Sequence, residues 1–530
     1  MNETYPFIFG FPSLEAGWSP RDLMVDHSVL FLVGLVSVMS TAYVWSISNA
    51  SLKKLPRVNP PSFFSNAQAK RQFRDSAKTM LQNARKQYPN RPYRMTTDYG
   101  EVVVLQSEWF DEIRNDPHLS FLGTVAQERI CEIPGFEPLA ALGEEGALVQ
   151  IIARKQLTKL LSQVTAPLSE EIALAVSINF GESTAWREIK SLPALRDITA
   201  RMSSRVFVGD ELARNEEWLR IVKNYTVDAF KSINRLTKYP VNLRPYIGPL
   251  FPECRRIRDY YKRAREVIDP VLEERDLMKQ AALASGQPAP VFNDALEWII
   301  QESEERNSGY DTATFQMIVS TVAINTTTDL LQAALIDLIQ HPDAMQAVRD
   351  EIIHILKTDG WKKSSLYNMK LLDSALKETQ RINPVFTAMR RAVVADTVLP
   401  DGTIVKKGSR IHIDTHRMVD PEVYENPEEW KCDRFSEMRS QPGKEHLAQL
   451  VTTSIDHFGF GHGQHACPGR FFAANELKIA LCHLLIKYDW KLAPGTPLDM
   501  VRLGFTRVVN TDTKLLCRRR ERVELDIDSI

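Results

Sequence analysis

Cysteine is scarce and irregularly spaced in this chain. The six cysteines, at positions 131, 254, 432, 467, 482 and 517 of 530 residues, include no CxxC pair, which argues against a zinc ribbon or a disulfide framework. The net charge is also close to zero. The chain has 66 Lys and Arg and 67 Asp and Glu, a formal charge of −1, so it has no overall basic field to hold nucleic acid. What remains is a globular chain, 44% hydrophobic, without repeats or low-complexity linkers and able to bury a large core.

Charge is absent from one long segment, Ser28 to Leu52, which contains no Asp, Glu, Lys or Arg. As a helix, its apolar centre over residues 29–47 would rise roughly 28 Å, the thickness of a bilayer core. Acidic residues prevail before it and lysines follow it, so the positive-inside rule predicts a luminal segment 1–27, a transmembrane anchor 28–52 and a cytosolic remainder. A cleaved signal peptide is the alternative, but it requires a positive region ahead of the apolar run. The sequon at Asn2 would then face the lumen as a glycosylation acceptor.

The rest of the chain reads as one domain after a hinge. Three prolines between positions 56 and 61 forbid a helix and predict an extended hinge over 53–62. Helical periodicity dominates from about 145 to 385, whereas strand patterns with tight turns occur at 93–105 and 392–415. The sequence therefore predicts a mainly α fold with small β-sheets (α+β) over residues 63–530.

One cysteine differs from the others in its surroundings. Cys467 ends the glycine-rich run FGHGQHAC and is followed by Pro468, Gly469 and a predicted helix from near Arg470. Glycines at 463 and 469 permit tight turns, and N–H groups at a helix N-terminus can point at the sulfur and stabilise a thiolate. A thiolate held in this way suits an axial ligand of haem iron that activates O2. The alternative is a buried, inert cysteine.

The run resembles the haem-ligand signature F-x-x-G-x-[RH]-x-C-x-G of the cytochrome P450 family at every specified position. The resemblance implies haem b ligated by Cys467, with Phe460 against the sulfur, Gly463 and Gly469 in the loop, and His465 facing a haem propionate. It extends over residues 55–520 and looks most like fungal monooxygenases of secondary metabolism, similar to ent-kaurene oxidase-like enzymes. It also implies the cytochrome P450 fold.

A second motif supports the resemblance. Glu378 and Arg381 lie three residues apart on an amphipathic helix, where carboxylate and guanidinium can pair. Alone, this spacing is compatible with an ordinary surface ion pair. The family places a structural ExxR pair here, and the resemblance adds Arg434 as its third, scaffold member. Cys432 stands where the family usually has proline.

A long predicted helix from Thr312 to Ile339 resembles the helix that crosses the haem in this family. Thr326 matches the proton-delivering threonine and Ala323 the small residue before it, but Asn325 replaces the usual acid. An amide can order water but cannot ionise, so the relay would run through water or Thr327. The alternative is that these threonines only bond to carbonyls of their own helix.

Haem propionates need cations, and two arginines occupy positions similar to those of propionate partners in the family. These are Arg154 and Arg391, for which ordinary solvated side chains are an equal alternative. The apolar loop 121–148, with Phe136, Leu139 and Leu142, is predicted as a substrate lid. Residues 385–386 and 503–506 would line the pocket. For the lid residues and the pocket residues alike, a core or surface role is an equal alternative.

Taken together, the resemblance implies a single-pass enzyme of the endoplasmic reticulum membrane that oxidises a lipophilic natural product such as a terpenoid. It would use O2 and electrons from NADPH through NADPH–cytochrome P450 reductase, with cytochrome b5 as an optional further donor. Two alternatives stay open. One is a haem-thiolate isomerase or dehydratase that needs no reductase, and the other is a membrane haem-binding sensor without turnover. The sequence leaves the substrate and the number of oxidations open.

Overall fold

A computed structural model describes residues 50–62, 65–142, 148–307, 309 and 311–530, with isolated positions at 32, 34 and 36. The predicted luminal segment 1–27, with Asn2, and nearly all of the predicted anchor 28–52 lie outside the described residues. The chain divides into two compact units, Met1–Lys54 and Leu55–Ile530. The first unit contributes the short helix α1 (Ala50–Lys53) to the description.

Helices make up most of the second unit. Those before the longest apolar helix are α2 (Ala67–Gln87), α3 (Phe110–Ile113), α4 (Leu122–Gln127), α5 (Glu137–Ala140), α6 (Leu148–Ile152), α7 (Thr158–Phe180), α8 (Ser191–Phe207), α9 (Gly209–Ala213), α10 (Glu216–Leu236), α11 (Arg244–Ile247), α12 (Pro252–Ala284) and α13 (Ala295–Glu305). The remainder are α14 (Thr312–Gln340), α15 (Pro342–Asp359), α16 (Lys363–Asn368), α17 (Lys370–Ile382), α18 (Arg434–Arg439) and α19 (Arg470–Lys487). A π-helical segment, Ala153–Leu157, joins α6 to α7.

The strands are short and form small sheets. They are β1 (Tyr93–Thr97), β2 (Gly100–Leu105), β3 (Leu119–Ser120), β4 (Arg187–Lys190), β5 (Ala388–Val393), β6 (Thr397–Val398), β7 (Ile404–Val405), β8 (Arg410–Asp414), β9 (Tyr488–Leu492), β10 (Val501–Leu503), β11 (Thr506–Val508) and β12 (Lys514–Arg519). One sheet has the order β1-β2-β8-β5-β3 with β2 and β8 parallel, another has the order β4-β12-β9, and β6-β7 and β10-β11 are separate pairs. The mainly helical fold with small sheets that the sequence predicts is confirmed.

Helix α14 runs through the core because it is apolar on nearly all sides. Most of its side chains are buried, and it packs against α8, α10, α12, α17 and α19. Among the described residues it is the one helix whose length and composition would also allow it to cross a membrane. Its burial among other helices accounts for its apolar composition as that of a core helix.

The proline-rich segment lies along strand β1. The Val58 N–H donates to the Arg94 carbonyl (2.9 Å), and the Arg94 N–H donates to the Pro56 carbonyl (2.7 Å). The Asn59 side chain adds a reciprocal pair of 2.8 Å hydrogen bonds with the Thr96 backbone. From Leu55 onward this segment is thus hydrogen-bonded to strand β1 within the second unit, and the hinge over 53–62 stays a prediction.

Candidate active site

The Cys467 loop is closed by its own backbone. The Cys467 N–H donates to the Phe460 carbonyl (2.8 Å), which places Phe460 next to the cysteine, and the Gly461 N–H donates to the Phe458 carbonyl (2.8 Å). Residues Gly463–His465 form a short 3-10 turn, and α19 begins three residues after the cysteine. The loop thus delivers Cys467 to the N-terminus of a core helix, as the sequence predicts.

Two glycines of this loop, Gly463 and Gly469, differ in how strictly the fold requires glycine. Gly463 has φ = 73°, and a Cβ there would lie 2.6 Å from the Arg114 Cβ and 2.7 Å from its carbonyl oxygen. Gly469 lies in a turn just before α19 with φ = −87°, a conformation open to any residue, and a Cβ there would meet no atom within 4 Å. Gly463 is therefore required by the fold, whereas Gly469 borders open space.

The surroundings of the Cys467 sulfur have opposing effects on the pKa of its thiol. Burial raises the pKa of its thiol, while the N–H groups of Gly469 and Arg470 and the Arg470 charge oppose that rise. Arg470 also donates to the Cys467 carbonyl (2.8 Å). The backbone donors expected at the helix N-terminus are present, but they do not offset burial, so a thiolate here needs a further positive partner.

The structure brings three of the predicted propionate partners together. Arg154, on the π-helical segment, donates to the Gln464 carbonyl (2.9 Å), and His465 Nε2 lies 3.1 Å from the Leu119 carbonyl. Arg391 and Arg154 both lower the pKa of His465, after the larger effect of burial. Arg391 is buried, bonds through its guanidinium to the Arg390 carbonyl (2.8 Å), and pairs with no carboxylate among the described residues. Burial lowers its pKa to about 10.

One face of α14 stays accessible in the middle of the core. Val322 is 42% exposed and Thr326 is exposed, Ala323 and Asn325 are half-buried, and Thr327 is buried. The Thr326 hydroxyl donates to the Val322 carbonyl (2.9 Å), which is the back-bonded arrangement considered above as the alternative. Because α14 packs against other helices along most of its length, these accessible residues mark the part of its surface that the described neighbours leave uncovered.

The residues present fit a haem. Cys467 keeps some accessible surface although burial raises the pKa of its thiol, so protein atoms do not seal it off from a further group. Arg391 is a buried cation without an anion, as a propionate partner would be. Within the described part of the chain no cluster of three or more His, Cys, Asp or Glu could bind a metal, so an iron at Cys467 would arrive with a porphyrin.

Glu378, Arg381 and Arg434 form one ionic cluster. Arg381 donates to both Glu378 oxygens (2.8 Å each), and Arg434 Nε donates to one of them (2.9 Å). The Glu378 and Arg381 side chains are wholly buried, and both arginines also bind carbonyls of the segment 418–429. Cys432, in the proline position, has a thiol whose pKa burial raises to about 12, so it is unreactive. This cluster fixes the chain that precedes the cysteine loop.

Sequence reasoning did not identify Lys377, which precedes this carboxylate. Its buried ammonium group donates to the carbonyls of Leu447 (2.8 Å), Gln449 (2.7 Å) and Thr452 (3.1 Å). It thereby holds the segment leading into the cysteine loop against α17. The available signal was a lysine on the apolar face of an amphipathic helix.

The predicted pocket residues divide into two groups. Phe386 forms a β-bridge with Thr506, and both Phe386 and Leu503 keep more than a third of their surface exposed. Within the predicted lid, Leu139 and Leu142 are half-buried, but Phe136 is wholly buried in the main core. Phe136 is thus a core residue, because it packs inward from the start of α5, and residues 143–147 lie outside the description.

Comparison with known proteins agrees with this geometry. The family model described as "Cytochrome P450" matches residues 152–517. The chain is 42% identical over 470 residues to cytochrome P450 monooxygenase hepE of Aspergillus oryzae, covering 88% of this chain and 86% of that protein. It is 42% identical to monooxygenase eqxH of Fusarium heterosporum (90% and 93% covered) and 38% identical to monooxygenase TRI1 of Fusarium sporotrichioides (96% and 93%).

A solved structure shares the fold. The chain superposes on retinoic acid-bound cyanobacterial CYP120A1 with a TM-score of 0.62 at 17% identity, covering 88% of this chain and 99% of the other. At that identity the likeness concerns the fold alone.

Proposed function

The chain belongs to the cytochrome P450 family and is an oxidoreductase related to fungal monooxygenases, and from this premise we propose its chemistry, substrate class and location. We propose that it oxidises a hydrophobic natural-product intermediate such as a terpenoid in fungal secondary metabolism. It would use O2 and electrons from NADPH delivered by NADPH–cytochrome P450 reductase, with cytochrome b5 as an optional donor. The observation that carries the proposal is the Cys467 loop beside a buried arginine, Arg391, that lacks a carboxylate.

Each site residue has a proposed task. Cys467 would ligate the iron of haem b through its sulfur, with Phe460, Gly463 and Gly469 shaping the loop. Arg154, Arg391 and His465 would hold the propionates, because a buried guanidinium is stabilised by a carboxylate. Haem would supply the activation of O2, one oxygen atom entering the substrate and the other leaving as water with two electrons and two protons. Thr326 would pass protons through Oγ1, with Asn325 and Thr327 beside it.

Large apolar side chains that keep accessible surface favour a lipophilic substrate. Val322, Phe386 and Leu503 are large hydrophobic residues that keep 42%, 38% and 45% of their surface exposed. Pockets lined by such side chains, with few polar groups, bind apolar ligands. We propose a terpenoid as one lipophilic substrate of this kind.

The proposed layout is a luminal segment 1–27, an anchor 28–52 in the endoplasmic reticulum membrane, a hinge 53–62 and a cytosolic haem domain 63–530. The division between the two compact units falls after Lys54, near the start of this hinge. Deleting residues 1–52 should release the protein from membranes and leave its haem spectrum intact. Loss of haem on this deletion would contradict a separate anchor.

Replacing the proposed ligand tests the central claim. Cys467→Ala should abolish the red-shifted Soret band that thiolate-ligated haem gives when reduced under CO. Cys432→Ala is the matched control and should keep the band. Its thiol is also half-buried, but burial raises its pKa to about 12, and Cys432 lies two residues before Arg434 of the ionic cluster. A Cys467→Ala protein that keeps the band would mean that another residue ligates the iron.

A further inference from the structure

The proposed proton donor Thr326 needs a source of protons. Its neighbour Asn325 has an amide, which cannot ionise, and Thr327 is buried. The Thr326 hydroxyl contacts a carbonyl of its own helix, which supplies no proton. An ionisable residue on the same face of α14 would be placed to resupply Thr326, directly or through water.

Asp329 meets both conditions. It follows Thr326 by three residues and Asn325 by four, and residues at these spacings are neighbours on a helix surface. Like them it is not fully buried, and it makes no hydrogen bond or close ion pair with any other described residue. Unpaired carboxyl groups inside a protein are uncommon and point to a functional use.

Asp329 faces one distant charge, that of Arg196 on α8, which packs along α14. Arg196 has a buried Nε without a hydrogen-bond partner, and burial lowers its pKa. Burial raises the pKa of Asp329 to about 7, an effect that Arg196 opposes. A carboxyl with a pKa near neutrality can both hold and release a proton under working conditions.

A cavity lies one turn further along the helix. Gln332, Ala333 and Ile336 line a cavity of about 360 Å³ together with Met500 and Asn510. Positions 332, 333 and 336 follow Asp329 by three, four and seven residues, so they continue its face of the helix. The cavity is also lined by Asp337, Asp499, Arg502 and Arg507. These charged groups, with the side-chain amides of Gln332 and Asn510, can hydrogen-bond ordered water.

We propose that Asp329 is the positioning residue that resupplies protons to Thr326, with water in this cavity as their source. The Asp329 carboxyl gives its proton through a bridging water to Thr326 Oγ1 as that hydroxyl releases its own, and a hydronium ion from the cavity reprotonates the carboxylate. One proton moves inward per cycle of this exchange, and no electron is transferred by these groups. The inference rests on the proposed monooxygenase function.

The first test compares two ways of driving oxidation by the full-length holoenzyme. Thioanisole serves as the probe, oxidised either with NADPH, O2 and reductase or with iodosylbenzene, which donates a single oxygen atom and needs no proton relay. Asp329→Asn should slow the NADPH-driven rate on the order of tenfold to a hundredfold. It should change the iodosylbenzene-driven rate less than about twofold, whereas a merely structural role would lower both alike.

Two further variants sharpen this test. Asn325→Asp in the Asp329→Asn background should restore most of the NADPH-driven rate by placing an ionisable group beside Thr326. Glu476→Gln is the matched control, because it removes another buried carboxyl with a raised pKa, and its ratio of the two rates should equal that of the wild type. If the wild type oxidises the probe with neither oxidant, the proposed function fails. If the wild type is active and Asp329→Asn keeps its ratio, only this inference fails.

The second test needs no turnover. Infrared difference spectra of the resting protein between mildly acidic and mildly alkaline buffer should contain a carboxylic acid C=O band that shifts in D2O and disappears in Asp329→Asn. Glu476→Gln should retain this band and lose a different one. Identical wild-type and Asp329→Asn spectra would overturn the proposal, because Asp329 would then hold no exchangeable proton near neutral pH.

Discussion

Glu378 and Asp329 are both carboxylates on core helices, but their surroundings are opposite. Both Glu378 oxygens accept hydrogen bonds from guanidinium groups, at 2.8 and 2.9 Å, and those arginines continue into carbonyls of a neighbouring segment. Asp329 has no hydrogen-bond partner among the described residues and faces Arg196 only at a distance. The first arrangement fixes a scaffold, because every buried charge is paired. The second leaves room for water and protons to move.

The largest expected effect comes from breaking the paired cluster. Glu378→Ala leaves Arg381 and Arg434 as buried charges without their carboxylate, which should cost about 3–5 kcal/mol in the free energy of unfolding and lower haem content. Denaturant unfolding and haem quantification measure both. Glu437→Ala, which removes an exposed ion pair with Lys431, should cost no more than about 1 kcal/mol. Equal losses in the two variants would contradict a scaffold role.

The unpaired region should respond in activity rather than stability. Thr326→Ala should lower NADPH-driven oxidation about 10- to 100-fold with little change in unfolding, since the hydroxyl contributes only a bond to its own helix. Thr328→Ala is the control, because Thr328 makes the same kind of bond to the Ile324 carbonyl (2.6 Å) but is buried. If both variants lose activity equally, back-bonding is the function of these threonines.

The cysteine loop can be tested for close packing with two matched glycines. Gly461 and Gly463 have nearly the same φ, 72° and 73°. A Cβ at Gly463 would lie 2.7 Å from the Arg114 carbonyl oxygen, whereas a Cβ at Gly461 would lie 3.4 Å from the nearest atom, the His465 carbonyl oxygen. Gly461→Ala should lower the free energy of unfolding by about 1 kcal/mol, because alanine is strained at a positive φ. Gly463→Ala should cost about 1–3 kcal/mol more in thermal unfolding. Similar values for the two would mean that the contact with Arg114 relaxes freely.

The smallest effect concerns a third buried carboxyl. Glu476 has one partner, a hydrogen bond from Ser203 (2.7 Å), and burial raises its pKa to about 8. Because the folded state binds the proton more tightly than the unfolded state, stability should fall as pH rises from about 4.5 to about 8. Glu476→Gln should remove this part of the pH dependence and gain at least about 1.4 kcal/mol at pH 8, the equivalent of one pKa unit. An unchanged profile of stability against pH would show that Glu476 is ionised at no cost.

The local features of the site could be predicted from the sequence because they depend on neighbours in the chain. The turn-rich loop ending at Cys467 and the Glu378–Arg381 pair each span a few residues, so spacing alone places their groups together. Arg434 lies 56 residues from Glu378 and could be assigned only by resemblance.

Other features depend on contacts between distant parts of the chain. The carbonyls that bind Lys377 lie 70 to 75 residues away, and the backbone that makes Gly463 obligatory belongs to Arg114. Phe136, for which the sequence left a lid role and a core role open, lies in the core. No local pattern specifies these outcomes, because they follow from how α3, α5 and α17 pack.

The sequence by itself determined the class of fold, the cysteine loop, the helix bearing Thr326 and the ionic pair on α17, since each is set by residue type and periodicity along a short stretch. The tertiary structure alone decided which polar groups receive partners. Arg391, on strand β5, is buried without a carboxylate partner among the described residues, whereas Arg381, on helix α17, is buried with one. The cost of burial and the reach of a hydrogen bond depend on positions in space, and these are fixed only when the helices and sheets pack together.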